Sequence, residues 1–462
     1  MKKSSKKFTV ILLSTLVMAA VGGAASYTGY AYKISKDWEG VIYPNTKVMG
    51  VEVGGMTKDE AAKLLKEKYG DVVVQKKIEI KYNGKSYSID YSKLNARYNI
   101  DEVVSEAFSY GKELSIFGKK DIIKEGTDKS YNLTFNYDTA YIDELIKTME
   151  KDINAAPVDG SIQMVSRGNF KVTPDKKGYK LQSDKLKEDI KNNINDKLEE
   201  SSTTVEAPVE TLSAVKTAEA LSSINTLVST YTTSYKGSID SRINNIKVAS
   251  GSVNGRLMMP GDSFSFNDVV GQRTEARGYQ QAGVIINGKH DFDFGGGICQ
   301  VSSTLYNALL LADIDPTERT HHTLRSLYVP LGQDATVDWG HLDLKFTNTM
   351  PYPIYIEAYT EGTNVYFNIY SNSSLTKKTY KIVNDVYQTV DFKVTQKQDP
   401  TLPEGTQEYE EVGSNGYRVR VYRVTNENGQ QVKKDLLYED YYKPVNAILK
   451  IGTKKVDQTQ SN

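Results

Sequence analysis

The feature that most constrains this chain is an uncharged segment of 25 residues that begins at Phe8 and ends at Tyr32. As an α-helix it would be about 37 Å long, and the hydrocarbon core of a bilayer is about 30 Å thick. Four lysines precede it: Lys2, Lys3, Lys6 and Lys7. Because basic flanks stay in the cytoplasm, we expect residues 1–7 to be a cytoplasmic tail, residues 8–32 a transmembrane helix, and the remainder to lie outside the cell.

A cleaved signal peptide is the competing interpretation of this segment. Small residues of the kind that precede a cleavage site are concentrated in its second half: Ala19, Ala20, Gly22, Gly23, Ala24 and Ala25. The uncharged run is long for a signal sequence, so we predict a retained single-pass anchor.

The composition narrows the class of protein. Lys plus Arg is 58 and Asp plus Glu is 58, so the formal net charge is zero and nothing indicates a nucleic-acid partner. Apolar residues make up 39% and charged residues 25%, which is typical of globular chains. The length of 462 residues suggests about three domains, and it gives no indication of the oligomeric state.

Residues 34–210 alternate helix and strand signals in two similar units. The first contains a helix, a hairpin with an Asn-Gly turn and a second helix, at Lys58–Tyr69, Lys77–Tyr82, Ser86–Ile89 and Asp101–Tyr110. The second repeats this order at Asp138–Lys151, Ser161–Met164, Asn169–Val172 and Ser183–Lys197. The pattern predicts a duplicated α+β region, which would be either a spacer or a wall-binding module.

The remaining sequence falls into a dense block at 219–372, a strand-rich block at 373–453 with glycines at turn positions, and a polar tail at 454–462. The dense block mixes helix and strand signals without regular βαβ alternation. We therefore predict an α+β multidomain protein that ends in a small all-β module.

A glycine run and a helical pattern surround the only cysteine, Cys299, so an intrachain disulfide is excluded. Apolar residues after the run have the spacing of one helix face: Val301, Leu305, Ala308, Leu309 and Ala312. This spacing predicts that Cys299 lies at a helix N-terminus beside a tight turn formed by Gly295–Gly297. There the helix dipole and free amides would favour a thiolate and could hold an oxyanion.

Two interpretations of Cys299 are open. A lone cysteine is usually a small buried apolar residue. Cys299 lies off the apolar helix face, follows a glycine run that a structural helix does not need, and is the single thiol of an exported chain. These features favour a nucleophile.

A thiolate nucleophile usually needs a base, and the chain has four histidines: His290, His321, His322 and His341. A helix followed by a returning strand could bring His321 or His322 back to the thiol. His341 and Asp343 share one face of a strand-like segment, so Asp343 could orient an imidazole, and Asp334 could do so as well.

Other chemistries fit the sequence less well. His290, Cys299 and the His321-His322 pair could supply zinc ligands, but the close spacings typical of zinc sites are missing. The glycine run lacks the Gly-Lys-Ser/Thr of a nucleotide loop, and Ser302 lacks a nucleophile elbow. The sequence therefore predicts no metal or other cofactor.

Residues 219–372 also contain a dense, ordered series of motifs: Asn254-Gly255, Pro260 to Asn267, Gly271 to Thr274, Gly278-Tyr279, Ala282 to Ile285, Gly295 to Leu305, His322, Tyr328 to Pro330, Gly332, Asp334 to Val337 and Asp343-Leu344. The series resembles the VanW family of Gram-positive cell-envelope proteins. The block before it resembles the peptidoglycan-binding domains often placed before VanW domains. The last block resembles the five-glycine β module of surface proteins, through Gly413 to Gly416 and Leu449 to Thr453.

VanW domains have been identified as cysteine-dependent L,D-transpeptidases. The resemblance implies that Cys299 forms a thioester with a peptidoglycan stem peptide and that cross-links between third stem residues result. It favours His322 over His321 as the base. It also implies a location in the cell membrane, with the bulk of the chain at the cell wall.

The third catalytic residue and the substrate contacts are less constrained by these patterns. We predict Asp343 as the third residue, with Asp334 as the alternative. The residues expected to contact substrate are Arg273, Gly296, Gly297, Gln300 and Ser302. For Arg273 and its neighbour Arg277, an interdomain salt bridge is the competing interpretation.

Two other functions fit the same sequence. One is a non-catalytic wall-binding or scaffold protein in which Cys299 is buried and inert. The other is a cysteine peptidase or amidase that acts on stem peptides.

Overall fold

The structure is a computed structural model that describes residues 4–286 and 289–455. The chain divides into two compact units. The first comprises the residues up to Ala156 together with Gly178–Leu212, and the second comprises Pro157–Lys177 together with the residues from Ser213 onward.

The helices are α1 (Ser4–Asp37), α2 (Lys58–Leu65), α3 (Asp71–Val73), α4 (Ile100–Ser109), α5 (Ile116–Glu125), α6 (Ala140–Ile153), α7 (Ser183–Asn193), α8 (Ala218–Ser222), α9 (Asp240–Val253), α10 (Phe266–Val270) and α11 (Ile298–Leu310). The strands that precede residue 213 are β1 (Thr46–Val48), β2 (Val51–Glu52), β3 (Lys77–Tyr82), β4 (Lys85–Asp90), β5 (Arg97–Tyr98), β6 (Lys129–Tyr131), β7 (Phe135–Asn136), β8 (Ser161–Ser166), β9 (Asn169–Thr173), β10 (Gly178–Leu181), β11 (Ser202–Glu206) and β12 (Val209–Leu212). The strands after residue 213 are β13 (Thr226–Ser234), β14 (Arg256–Met258), β15 (Ser263–Ser265), β16 (Ala282–Ile286), β17 (Lys289–Asp293), β18 (Pro316–Glu318), β19 (Lys345–Thr347), β20 (Ile354–Glu361), β21 (Asn364–Ser371), β22 (Lys378–Val390), β23 (Val394–Pro403), β24 (Gln407–Glu411), β25 (Gly416–Glu427), β26 (Gln430–Tyr442) and β27 (Ala447–Lys454).

The predicted N-terminal apolar helix is present as α1, and it is longer than expected. By length and composition, the part from Lys7 to Asp37 is able to cross a membrane. Its C-terminal turns pack on the first unit, where Ala31 is buried and Tyr27 stacks on Phe117 of α5 at 5.7 Å between ring centroids. The helix continues past the uncharged segment to Asp37, and Ser35 in this extension is buried.

In the first unit, the predicted hairpin forms as antiparallel strands β3 and β4, and β11 pairs with β3 in parallel. Ile78 and Ile80 alternate inward from β3 and are fully buried with Leu65 of α2. Helix α2 begins at a capping box in which the Thr57 side chain and the Glu60 side chain each accept a backbone N–H. Local signals therefore fix this part of the fold.

The second predicted hairpin forms as β8 and β9, but it belongs to the second unit rather than to a continuous 34–210 block. Phe170 of β9 packs edge-on against Tyr355 and Tyr370, with centroids 5.1 and 5.3 Å apart. A two-stranded hairpin is marginal alone, so its apolar face needs a partner, and these tyrosines of the second unit cover it.

The core of the second unit lies between helices and an antiparallel sheet of order β13-β21-β20-β14. Helices α9 and α11 pack on this sheet. Helix α11 was expected to have one apolar face, but from Gln300 to Leu310 its residues are buried on all sides. It is therefore a central core helix, and its polar side chains need partners inside the protein.

The C-terminal part of the second unit contains two three-stranded sheets, of order β22-β25-β26 and β23-β27-β24. It has no α-helix among its described residues. Strand β25 pairs with both neighbours over almost its full length, which makes a long three-stranded antiparallel sheet. The predicted α+β multidomain class with a small all-β module at its C-terminal end is confirmed.

Candidate active site

A glycine turn brings the chain into α11. Gly297 has φ of +98°, and a Cβ at this residue would lie 2.9 Å from Ile246 Cγ1. A Cβ at Gly296 would lie 2.5 Å from the Cβ of Ala282. Both positions therefore require glycine, and Cys299 follows in the first turn of α11, as the glycine run and the helical spacing predict.

The polar side of α11 holds the loop that carries Asp334. Ser303 Oγ accepts the N–H of Ala335 at 2.9 Å, and Ser302 Oγ donates to the Ala335 carbonyl at 2.6 Å. One turn later, Asn307 Nδ2 donates to the Gln333 carbonyl at 2.7 Å. These buried hydrogen bonds set the distance between the start of the helix and the loop.

Cys299 is half-buried and its thiol is hydrogen-bonded to the imidazole of His322. Its Sγ lies 3.5 Å from the Val337 carbonyl oxygen. Burial opposes ionisation of the thiol, but the hydrogen bond and positive charge of His322, together with the charge of Arg273, lower the pKa of Cys299 below its ordinary value. The arrangement favours a thiolate–imidazolium pair.

Asp334 orients this imidazole. His322 Nδ1 lies 2.6 Å from Asp334 Oδ2, and the backbone N–H of His322 donates to the same oxygen at 2.7 Å. Nε2 is thereby left for the thiol. Burial disfavours the imidazolium, but Asp334 and Cys299 outweigh it and raise the pKa of His322 to about 10. Burial also acts against the Asp334 carboxylate, yet the bonds from His322 lower the pKa of Asp334 to about 2.

The second oxygen of Asp334 is bonded by side chains from outside the loop. Tyr442 Oη donates to Oδ1 at 2.5 Å, and Arg319 Nη2 lies 3.5 Å from the same atom. Arg319 also forms a buried ion pair with Asp440, with Nη1 to Oδ1 at 2.9 Å and Nη2 to Oδ2 at 2.8 Å. Asp334 is thus a buried carboxylate with four donor groups around it.

Asp343, predicted as the third catalytic residue, lies elsewhere. Its Oδ2 accepts from Ser265 Oγ at 2.5 Å, and its Oδ1 accepts from the backbone N–H groups of Asn267 and Leu344. These bonds hold the start of α10, and the Asp343 carboxylate contacts no histidine among the described residues. The alternation of the 341–346 segment indicated a shared face but did not determine which carboxylate faces His322.

Two of the predicted substrate-binding residues are buried and hydrogen-bonded inside the protein. Gln300 accepts from Arg242 Nη2 at 2.8 Å and donates to Thr233 Oγ1 and the Ser234 carbonyl. Ser302 is fully buried against Ala335. Both side chains position α11, because their polar atoms already have partners inside the protein.

Arg273 lies beside the thiol with one donor free. Its Nη2 donates to Asn267 Oδ1 at 2.7 Å, while its buried Nη1 has no hydrogen-bond acceptor among the described residues. Its guanidinium lies 5.9 Å from the ring of Trp339, which is 40% exposed. Arg277 instead donates to the Val270 carbonyl at the end of α10 and forms no salt bridge within the described range.

His321 differs from His322 in its contacts. The Nδ1 of His321 lies 2.7 Å from the His322 carbonyl oxygen, and its ring packs on Tyr442 at 5.2 Å. The side chain of His290 lies outside the described residues. Within the described part of the chain, no three His, Cys, Asp or Glu side chains group as metal ligands would.

Three residues at this site were not among the sequence-based candidates. Tyr328 Oη lies 3.5 Å from His322 Nε2, and Arg242 is half-buried near Cys299. Tyr442 lies 108 residues after Asp334. Tyr328 stands six residues after His322 and could have been considered, but nothing local to the other two indicates a role in this site.

Three family models match the chain in succession. The model described as "Putative peptidoglycan binding domain" matches residues 87–202, "VanW like protein" matches residues 241–370, and "G5 domain" matches residues 381–454. The predicted order of a peptidoglycan-binding, a VanW-like and a five-glycine-type region is thereby confirmed. Among solved structures, the IgA1 protease G5 domain is similar at 26% identity and a TM-score of 0.14, covering 17% of this chain and 92% of that one.

Two relatives extend the comparison. The chain is 28% identical over 156 residues to the vancomycin B-type resistance protein VanW of Enterococcus faecalis, which covers 33% of this chain and 56% of that protein. It is 32% identical over 240 residues to the uncharacterized protein YoaR of Bacillus subtilis, which covers 52% of this chain and 77% of YoaR. The chain therefore belongs to the VanW-like protein family.

Proposed function

We propose that this protein is a cysteine-dependent L,D-transpeptidase that cross-links the third residues of peptidoglycan stem peptides. The observation that carries the proposal is the hydrogen-bonded series from Cys299 through His322 to Asp334 at the start of a buried helix. A thiol that is paired with an oriented imidazole is the usual arrangement of a cysteine acyl-transfer site. The region that matches a peptidoglycan-binding model supports a wall peptide as the substrate.

The first half-reaction forms a thioester. The Cys299 thiolate attacks the carbonyl carbon between the L-centred third residue and D-Ala. A C–S bond forms and, as the C–N bond breaks, the His322 imidazolium gives its proton to the departing amine of D-Ala. The backbone N–H groups of Gly297 and Cys299 are suited to hold the oxyanion, because they lie at a helix N-terminus, whereas the N–H of Ile298 already donates to the Gly295 carbonyl.

The second half-reaction transfers the acyl group. The side-chain amine of a diamino acid in a second stem attacks the thioester carbon, and His322, now neutral, accepts the proton that the amine loses. The new C–N bond forms, the C–S bond breaks, and the thiolate–imidazolium pair is restored. Water as the acceptor would give carboxypeptidase trimming by the same steps.

Arg273 is suited to bind a carboxylate of the stem. Its Nη1 is a buried donor without an acceptor in the described structure, and its positive charge acts on Cys299. A carboxylate beside the reacting carbonyl would complete its hydrogen bonding and hold the peptide in register. The exposed ring of Trp339 lies next to this guanidinium and would cover the bound peptide.

We propose that α1 is a retained single-pass anchor and that the remaining residues act outside the membrane at the cell wall. The basic residues before the apolar stretch support this orientation. The regions that match peptidoglycan-binding and G5 models support a wall polymer as the partner of the exported part.

The experiment is incubation of the purified full chain, in detergent, with tetrapeptide-stem muropeptides. The products are compared by mass spectrometry with those of Cys299→Ala, in which the nucleophile is absent. We expect dimers that lack one D-Ala from the wild type and none from the variant. Cleaved monomers alone would indicate a peptidase or amidase, and unchanged substrate would support a scaffold role, so either result would overturn the transpeptidase assignment.

A further inference from the structure

We propose that Tyr442, in the C-terminal β module, is a positioning residue that holds the carboxylate of Asp334 against His322. The C-terminal β module is defined here as residues 378–454, strands β22 to β27. The inference rests on the proposed function, because it assigns a role within the same site. It makes the module a part of that site in addition to any wall-binding role.

The hydroxyl of Tyr442 bonds two points of one loop. It donates to Asp334 Oδ1 at 2.5 Å and accepts the backbone N–H of Gly332 at 2.8 Å. Tyr442 and Asp334 are each 1% exposed, so water does not compete for these bonds. One phenol therefore fixes both the carboxylate and the backbone two residues before it.

The two carboxylate oxygens of Asp334 have different hydrogen-bond partners. Oδ2 accepts from the backbone N–H and the Nδ1 of His322, while Oδ1 faces Tyr442 and Arg319. A carboxylate whose two oxygens are both hydrogen-bonded is held at a single torsion angle about its Cβ–Cγ bond. Oδ2 is thus held toward the imidazole, which in turn is bonded to Cys299.

A second side chain of the same strand reaches the same loop. Asp440 is two residues before Tyr442 in β26, so both side chains point to one face of the sheet. Asp440 forms the bidentate ion pair with Arg319, and Arg319 Nε donates to the backbone carbonyl of Asp334 at 2.8 Å. The strand therefore holds Asp334 directly through Tyr442 and indirectly through Arg319.

A third contact comes from another strand of the module. Asn384 of β22 donates to the Leu331 carbonyl at 2.6 Å and accepts from Gln333 Nε2 at 2.9 Å. Together with the bonds to Gly332 and Asp334, the module contacts four consecutive residues of the loop. Apolar packing alone would hold the module against the second unit's core without hydrogen bonds to four consecutive loop residues. Buried hydrogen bonds of this kind are what fixes the position of a carboxylate.

The test uses the fact that Cys299 is the single cysteine of the chain, so alkylation by iodoacetamide reports this site alone. The rate is measured against pH for the full-length wild type, Tyr442→Phe and Tyr438→Phe. Tyr438 is the matched control: it packs 4.5 Å from the Arg319 guanidinium, and its buried hydroxyl has no partner among the described residues.

We expect the inflection of the Tyr442→Phe profile to lie about one pH unit above that of the wild type, which lowers the ratio of thiolate to thiol roughly tenfold at any fixed pH. The Tyr438→Phe profile should match the wild type. In muropeptide turnover, Tyr442→Phe should lower kcat with little change in KM, since the phenol does not contact the substrate. An unshifted inflection in Tyr442→Phe, or an equal shift in Tyr438→Phe, would overturn the proposal.

A further variant covers a failure of Tyr442→Phe to fold, which circular dichroism would detect. Asp440→Asn keeps the size of the side chain but weakens the hold on Arg319, and a smaller shift in the same direction is expected. An unchanged inflection in a folded Asp440→Asn would contradict the proposal. If the shifts occur while the wild type turns over no muropeptide, the positioning role stands and the transpeptidase function fails.

Discussion

His322 and His321 are adjacent in sequence but have different partners: the imidazole of His322 bonds Asp334 and Cys299, whereas Nδ1 of His321 lies 2.7 Å from the carbonyl oxygen of His322. Only one of the two rings can therefore exchange a proton with the thiol. The histidine that fits the family motif is also the one in contact with Cys299.

The first prediction concerns this pair. His322→Gln should lower the rate of cross-linking by about 10²-fold or more, because both the acid and the base of the two half-reactions are removed. His321→Gln should retain most of the activity, since its amide can still donate to the His322 carbonyl. Both rates are measured with the muropeptide assay, and a comparable loss in His321→Gln would argue against His322 as the single base.

The second prediction concerns the pH dependence set by Asp334. Burial opposes the imidazolium, but the hydrogen bond to Asp334, the contacts with Cys299 and the charge of Asp334 together raise the pKa of His322 to about 10. Replacement of Asp334 by a neutral amide should therefore lower that pKa. Asp334→Asn should therefore move the alkaline limb of the activity profile to lower pH. Because the imidazolium that stabilises the thiolate is then less populated, the thiol should titrate at higher pH, which moves the acid limb upward. The pH range of activity should therefore narrow at both its acid and its alkaline limit.

Asp343→Asn is the control for that profile. Asp343 bonds Ser265 and the start of α10, away from the imidazole, so its loss should reduce stability without moving either limb. The two variants are compared by kcat/KM between pH 5 and pH 11. A shifted profile in Asp343→Asn, with an unshifted one in Asp334→Asn, would reverse the assignment of the third residue.

The third prediction is a loss of stability in acid. The pKa of Asp334 is lowered to about 2 from an ordinary value near 3.8. A carboxyl with a lowered folded-state pKa stabilises the fold above its unfolded pKa and loses that contribution as the pH falls through the folded pKa. The contribution, about 2 kcal/mol, should be present above pH 4 and disappear towards pH 2.

Urea unfolding at several pH values gives the measurement. The difference in unfolding free energy between wild type and Asp334→Asn should shrink as the pH falls from 4 to 2. A constant difference over this interval would show that the carboxylate is not stabilised by its buried donors.

Part of this site could be predicted from the sequence because its signals are local. The glycine run and the apolar spacing that follows placed Cys299 in the first turn of a helix, and a helix start depends on adjacent residues. The choice between Asp334 and Asp343 depends on the path of a loop. The strand-like alternation around Asp343 favoured the wrong choice, and only hydrogen bonds to distant groups distinguish the two aspartates.

The burial of α11 and the role of Tyr442 could not be predicted for a related reason. Gln300 and Ser302 have polar side chains near the cysteine, which suggests a substrate surface, but their partners are in β13 and in the 333–337 loop. Tyr442 reaches Asp334 from 108 residues away. Contacts of this kind are set by tertiary packing, and the spacing of residues within one segment cannot predict them.

The last prediction concerns the turn before Cys299. Gly297→Ala places a Cβ at φ of +98° and 2.9 Å from Ile246 Cγ1, so backbone strain and a core clash both oppose it. We expect a loss of about 1 to 3 kcal/mol in unfolding free energy and slower alkylation of Cys299, because the start of α11 must move.

Gly251→Ala is the matched control. Gly251 lies in α9, and an alanine Cβ there would have open space around it to 4 Å. Alanine should therefore stabilise the helix by up to about 1 kcal/mol and leave the reactivity of the thiol unchanged. If Gly297→Ala were as stable and as reactive as wild type, the turn would not be what positions the thiol.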